Sequence, residues 1–133
     1  MQVRMPFVLL VCLLACTGCG KGQKPTDELV VDLKSSKADD RVAAARLLPG
    51  RKGDAEKIVP ALVESLSDPG ADVRLSAATT LGSYGEQAKA AVSALQTATK
   101  DRDPRVRRAA VNALAQIDPS FAPPADTAKP PQK

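Results

Sequence analysis

An all-α solenoid of about three stacked helical hairpins is the fold this sequence predicts, and three observations predict it. Leu29, Leu62 and Leu95 recur at a spacing of 33 residues, as do Arg41, Arg74 and Arg107, then Ala44, Ala77 and Ala110, then Leu48, Leu81 and Leu114. Within each unit the apolar residues fall at helical spacing, most clearly at Val106, Ala110, Ala113, Leu114 and Ile117. The composition is 44% hydrophobic but only 2% aromatic, so the core of this 133-residue chain is built mainly from Ala, Leu and Val. One hairpin cannot bury its own apolar faces, and about three stacked units are the lower limit for a stable array.

The elements follow in order. Residues 1–19, "MQVRMPFVLLVCLLACTGC", carry one cation, then an apolar run, then small residues, the layout of an export signal. The run from Met5 to Cys16 is shorter than the roughly 20 residues a spanning helix needs. Its end resembles a bacterial lipobox at either of two positions. "LLAC" makes Cys16 the lipid-bearing residue, with a bulky Leu14; "CTGC" makes it Cys19, with an atypical Cys16 at the start. An ordinary cleaved signal, giving a secreted protein, is the alternative. All three cysteines lie in this leader, so the remaining chain has no disulfide and relies on packing.

Residues 20–26 read as a polar tether. The repeats occupy 27–118, with units at 27–50, 58–83 and 91–117. In the second unit "EKIVPALVESLS" is the first helix, ended by Asp68-Pro69-Gly70, and "ADVRLSAATTLGSYG" is the second, ended by glycines. In the third, Asp103 caps a helix whose first position is Pro104, where the missing N–H costs nothing. In the first, Pro49 stands where Gly82 and Ala115 stand, which stops the second helix early. Residues 119–133, rich in Pro and Ala without periodicity, read as a disordered tail.

The period also fits ankyrin and nearly fits tetratricopeptide repeats, but the chain has no His for the ankyrin turn and few aromatics for tetratricopeptide packing. "GADVRLSAATTLGSYG" and "DPRVRRAAVNALAQID" instead resemble short HEAT repeats of the phycobilisome-lyase type, over roughly residues 27–119. That resemblance implies a ladder of Asp and Arg residues along the inter-helix turns, here Arg41, Arg74 and Arg107 with Asp68 and Asp101, each Asp six residues ahead of an Arg. Ser35 replaces the Asp in the first unit, so the ladder is expected to fade there. The resemblance also implies that the second helix of each pair lines a concave surface. Adjacent units then place Val42, Leu75 and Arg108 in one row and Arg46, Thr79 and Asn112 in the next. Arg105 and Arg108 are not demanded by the repeat, since Asp72 and Leu75 stand in their places one unit earlier. With Asn112 and Gln116 they share the face opposite the apolar stripe. These residues are the candidate contact surface for a partner.

Composition narrows the chemistry. There is no His, which removes the usual general base and the commonest metal ligand, and no cofactor is expected. Formal charge is +4, but the repeats hold 14 cations and 14 anions, so a phosphate-binding face is not expected and neither is nucleic acid. Only Lys100–Arg108 is locally basic, with five cations and two Asp. The expectation is a non-catalytic, membrane-anchored module that binds a protein or peptide outside the cytoplasm of a bacterial cell. One alternative is a subunit or chaperone of a lyase-like enzyme handling a tetrapyrrole, with Tyr84, Asp72 and the arginines holding a propionate or phosphate. Another is an envelope spacer that binds through its Pro-rich tail.

Overall fold

The computed structural model describes residues 23–121, and all of its described secondary structure is helical. The leader with Cys16 and Cys19, and the tail from residue 122 onward, lie outside the described residues. Three hairpins follow in order: α1 (Thr26–Asp32) with α2 (Ala38–Leu47), α3 (Ala55–Ser65) with α4 (Ala71–Tyr84), and α5 (Val92–Ala98) with α6 (Pro104–Ile117). Short 3-10 segments, Lys52–Asp54 and Gly85–Ala91, lead into α3 and α5. Among the described residues no helix is long and apolar enough to cross a membrane.

Local chemistry sets the helix ends. Helix α2 stops at Leu47, two residues before Pro49, and Gly50 turns the chain with φ +86°. The side chain of Asp103 accepts a hydrogen bond from the Arg105 amide at 2.8 Å, and Pro104 opens α6, as expected for that cap. Helix α4 closes on Gly85, whose φ of +56° is a conformation L side chains rarely adopt.

Three of the four repeated positions build the core. Leu29, Leu62 and Leu95, Leu48, Leu81 and Leu114, and Ala44, Ala77 and Ala110 are each at most 1% exposed. Fully burying each Leu contributes about 1.5–3 kcal/mol. The repeated Ala lets neighbouring helices approach, and the stack orders α2, α4 and α6 side by side, with α4 in contact with both others.

The two edges of the repeat region differ from the sequence expectation. Thr26 is buried and donates from Oγ1 to Asp54 at 2.6 Å, while Arg51 reaches the Thr26 hydroxyl at 3.1 Å and the Lys24 carbonyl at 2.7 Å. The tether expected through residue 26 is therefore tied to the fold from Lys24 onward. At the other edge Phe121 packs half-buried against the core, and its amide donates to the Asp118 carbonyl at 2.9 Å, so residues 119–121 belong to the stack rather than to a tail.

Candidate functional site

Two of the three repeated arginines form a ladder with the repeated aspartates, and the structure sets its register. Arg41 Nε and Nη2 donate to the two carboxylate oxygens of Asp68 at 2.7 and 3.0 Å, and Arg74 does the same to Asp101 at 2.8 and 3.0 Å. Each Arg thus grips the Asp of the following hairpin. To the Asp six residues ahead of it, it gives only a backbone contact: Arg74 Nη1 donates to the carbonyls of Asp68 and Pro69 at 2.8 and 3.1 Å. Ser35 supplies the same carbonyl to Arg41 at 2.7 Å. Its missing carboxylate is therefore no loss, and the expectation that the ladder fades at the first unit is overturned. A carbonyl does that part of the work whatever the side chain.

These carboxylates also accept from amides two residues on, Gly70 to Asp68 and Asp103 to Asp101, both at 2.8 Å. For Asp68, burial raises the pKa, but the Arg41 guanidinium and the Gly70 amide outweigh it and hold the carboxyl below its usual range. For Asp101 the hydrogen bond from Arg74 is the larger influence and lowers the pKa against burial. The ladder is a fastening between hairpins, bidentate and partly dehydrated.

The polar faces of α4 and α6 enclose a shallow groove of about 350 Å³. Leu75, Thr79, Arg105, Arg108 and Asn112 line it together, with Ala109, Ala113 and Gln116. Val42 and Arg46, on α2, are not among its lining residues. Leu75 is half-buried, and Thr79 donates its hydroxyl to the Leu75 carbonyl at 2.9 Å. Arg108 and Asn112 are exposed, and Arg108 has no ion pair among the described residues.

Arg105 departs from the expected pair. Its guanidinium bridges Asp103 at 2.9 Å and Asp72 at 3.0 Å, so it spends its charge within the stack. The Arg105 side chain, and then its amide, hold the Asp103 carboxyl at a pKa of about 2. Asp72, a ligand-holding group under the tetrapyrrole alternative, is the other end of this pairing.

Tyr84 is likewise unsuited to holding a ligand. It is 3% exposed, and its hydroxyl donates to the Leu48 carbonyl at 2.8 Å across the first junction. Burial raises its pKa. Beside it Thr80 donates to the Ala45 carbonyl at 2.9 Å. Sequence reasoning missed both fasteners; the available signal was that polar Thr80 and Tyr84 stand where the third unit has Ala113 and Ile117. Among the described residues no group of three or more His, Cys, Asp or Glu could hold a metal ion.

A family model described as HEAT repeats matches residues 26–92, and one described as HEAT repeat matches residues 91–121. No curated protein matches the chain.

Proposed function

Since the chain belongs to the HEAT-repeat family, a class of interaction scaffolds, we propose that it is a non-catalytic, lipid-anchored module that binds a protein or peptide partner outside the cytoplasm. The observation that carries this reading is the α4–α6 groove, where apolar Leu75, Ala109 and Ala113 lie beside exposed Arg108 and the amides of Asn112 and Gln116. Such a surface suits an extended or helical peptide with an apolar anchor and an acidic or carbonyl-rich flank. By the 33-residue repeat Val42 and Arg46 correspond to Leu75 and Thr79, and on that ground they join the proposed contact surface from α2. Stacked helices hold the surface rigid, which lowers the ordering cost of binding. The leader supports attachment through Cys16 or Cys19, and an anchor would raise the local concentration of the module at the membrane.

Crosslinking and pull-down from solubilised envelope tests the groove. Arg108→Glu/Asn112→Glu, at two exposed positions of the groove, is expected to lose its partner while retaining the wild-type melting temperature. Retention of every partner by that variant would overturn the groove reading. Loss only on truncation after Phe121 would favour the tail instead. Palmitate labelling of Cys16→Ser and Cys19→Ser tests the anchor, with label lost in one single variant; label persisting in both rejects a single lipid-bearing cysteine.

A further inference from the structure

The ladder has three arginines and, among the described residues, only two carboxylates to fill them. Arg107 is held as its equivalents are: its Nη1 donates to the carbonyls of Asp101 and Arg102 at 2.9 and 3.2 Å, matching Arg74 on Asp68 and Pro69 at 2.8 and 3.1 Å. In Arg41 and Arg74 this anchorage points Nε and Nη2 at an Asp of the next hairpin. In Arg107 the same two donors meet no acceptor among the described residues. A guanidinium fixed by two carbonyls has its donor fork oriented in advance, and a fork matches a carboxylate bidentately.

A second observation concerns the same end of the stack. Val92 and Ala94 are half-buried, whereas their equivalents one unit earlier, Val59 and Ala61, are 4% and 8% exposed. The segment Lys100–Arg108 around the fork carries five cations against two Asp. An oriented fork and positive charge thus coincide in one segment, within a hairpin whose apolar residues are less covered than those of the hairpin before it.

We propose that this end face is a receptor for an aspartate of a partner protein, presented in the turn before a helix and gripped by Arg107 Nε and Nη2. The two filled copies define the occupant: an Asp whose side chain also accepts from the amide two residues on, as Asp68 does from Gly70 and Asp101 from Asp103. The chain's own first hairpin does not offer it, because Ser35 occupies that position. The occupant we assign is a different protein that extends the stack by a helical hairpin; protection of the Arg107 fork by the chain's own residues is an outcome of the test below. This goes beyond the groove reading, on a separate surface, and neither depends on the other.

The test follows the Arg Nε–Hε signals of the full chain by NMR, with Arg41 and Arg74 as internal references. The probe is a capped peptide copying Leu66–Ala71, whose Asp68 carboxylate fills the Arg41 fork and accepts from the Gly70 amide. The Arg107 signal is expected to exchange with solvent at least tenfold faster than the two references in the free chain. It should then shift saturably with peptide while they stay unmoved, and an Asn-for-Asp peptide should bind at least tenfold more weakly. Arg107→Lys should weaken binding at least tenfold as read from the amide signals of the labelled peptide, with the Arg41 and Arg74 signals intact, which shows that the fold is retained. An Arg107 signal already protected in the free chain overturns the proposal, as does protection that grows with protein concentration, which would assign the site to a second copy. Equal shifts at Arg108 and Arg107 overturn it in favour of diffuse basic attraction. The peptide does not probe Leu75, so none of these outcomes bears on the groove.

Discussion

The two junctions between hairpins carry the same Arg–Asp pair and are otherwise built differently. Between α2 and α4 the contact is fastened by buried hydrogen bonds, Thr80 to the Ala45 carbonyl and Tyr84 to the Leu48 carbonyl. Between α4 and α6 the equivalent side chains are Ala113 and Ile117, which cannot donate, and the helices close directly on each other at Gly82. A Cβ at Gly82 would stand 3.0 Å from Ala113 Cα and 3.2 Å from its Cβ. The ladder sets the register common to both junctions, while residues that break the repeat decide whether a junction is joined by polar groups or by close apolar contact.

The largest effect is expected from Asp101→Ala. It strands the Arg74 guanidinium, whose side chain is only 6% exposed, without a counter-charge. Removing one partner of such a pair should cost about 3 kcal/mol, read as a lower midpoint in chemical denaturation. Asp68→Ala should cost less, because Arg41 is more exposed, at 13%. Both carboxyls have lowered pKa values in the folded chain, so the unfolded chain binds more protons as the medium becomes acidic. Their contribution is complete above the unfolded pKa of about 3.9 and is lost as pH falls through the folded values. The gap between wild type and Asp101→Ala should therefore narrow below about pH 4. A gap that stays constant to acid pH would show that lost packing, rather than lost charge, caused it.

Next comes Gly82→Val, expected to destabilise by about 2 kcal/mol through overpacking. Gln116 Oε1, 2.5 Å from where the new Cβ would stand, is the end of a flexible side chain and can swing away, but the Ala113 backbone cannot. Ser83→Val, exposed one residue on, should change the melting temperature little. Equal responses at 82 and 83 would mean that the second junction is not as close as its geometry indicates. Tyr84→Phe and Thr80→Val should each cost about 1 kcal/mol, the net value of a hydrogen bond whose buried carbonyl loses its donor. The same experiment at Ala113 and Ile117 has no polar group to remove, which is the contrast between the junctions in its simplest form.

The period, the Pro49 stop, the Asp103–Pro104 start and the core face of α6 were legible in the sequence because each follows from local backbone chemistry or from a spacing that recurs. The ladder residues were legible for the same reason, but their pairing was not. Asp68 lies six residues from Arg74 and 27 from Arg41, and sequence proximity favours the wrong partner; only the stacking of hairpins brings the distant one to 2.7 Å. The groove is a similar case. Helical spacing grouped Arg105, Arg108, Asn112 and Gln116 on one face, while the ion pair from Arg105 to Asp72 depends on how α4 and α6 approach and leaves no mark in either helix alone.

The smallest effect is expected from Arg107→Gln, and it is the one that separates the interior of the ladder from its end. Arg74→Gln removes a cation from a largely dehydrated pair and leaves Asp101 partly buried with only its amide donor, so it should approach the cost of Asp101→Ala. Arg107 is half-buried and pairs with no carboxylate among the described residues, and water can replace its bonds to the Asp101 and Arg102 carbonyls. Its substitution should therefore change stability by no more than about 0.5 kcal/mol, as at ordinary surface positions. The two variants, measured side by side by denaturant unfolding, should differ several-fold although they alter the same residue in the same repeat position. If Arg107→Gln proves as costly as Arg74→Gln, the third fork is already closed within the isolated chain, and the asymmetry between the two ends of the stack disappears.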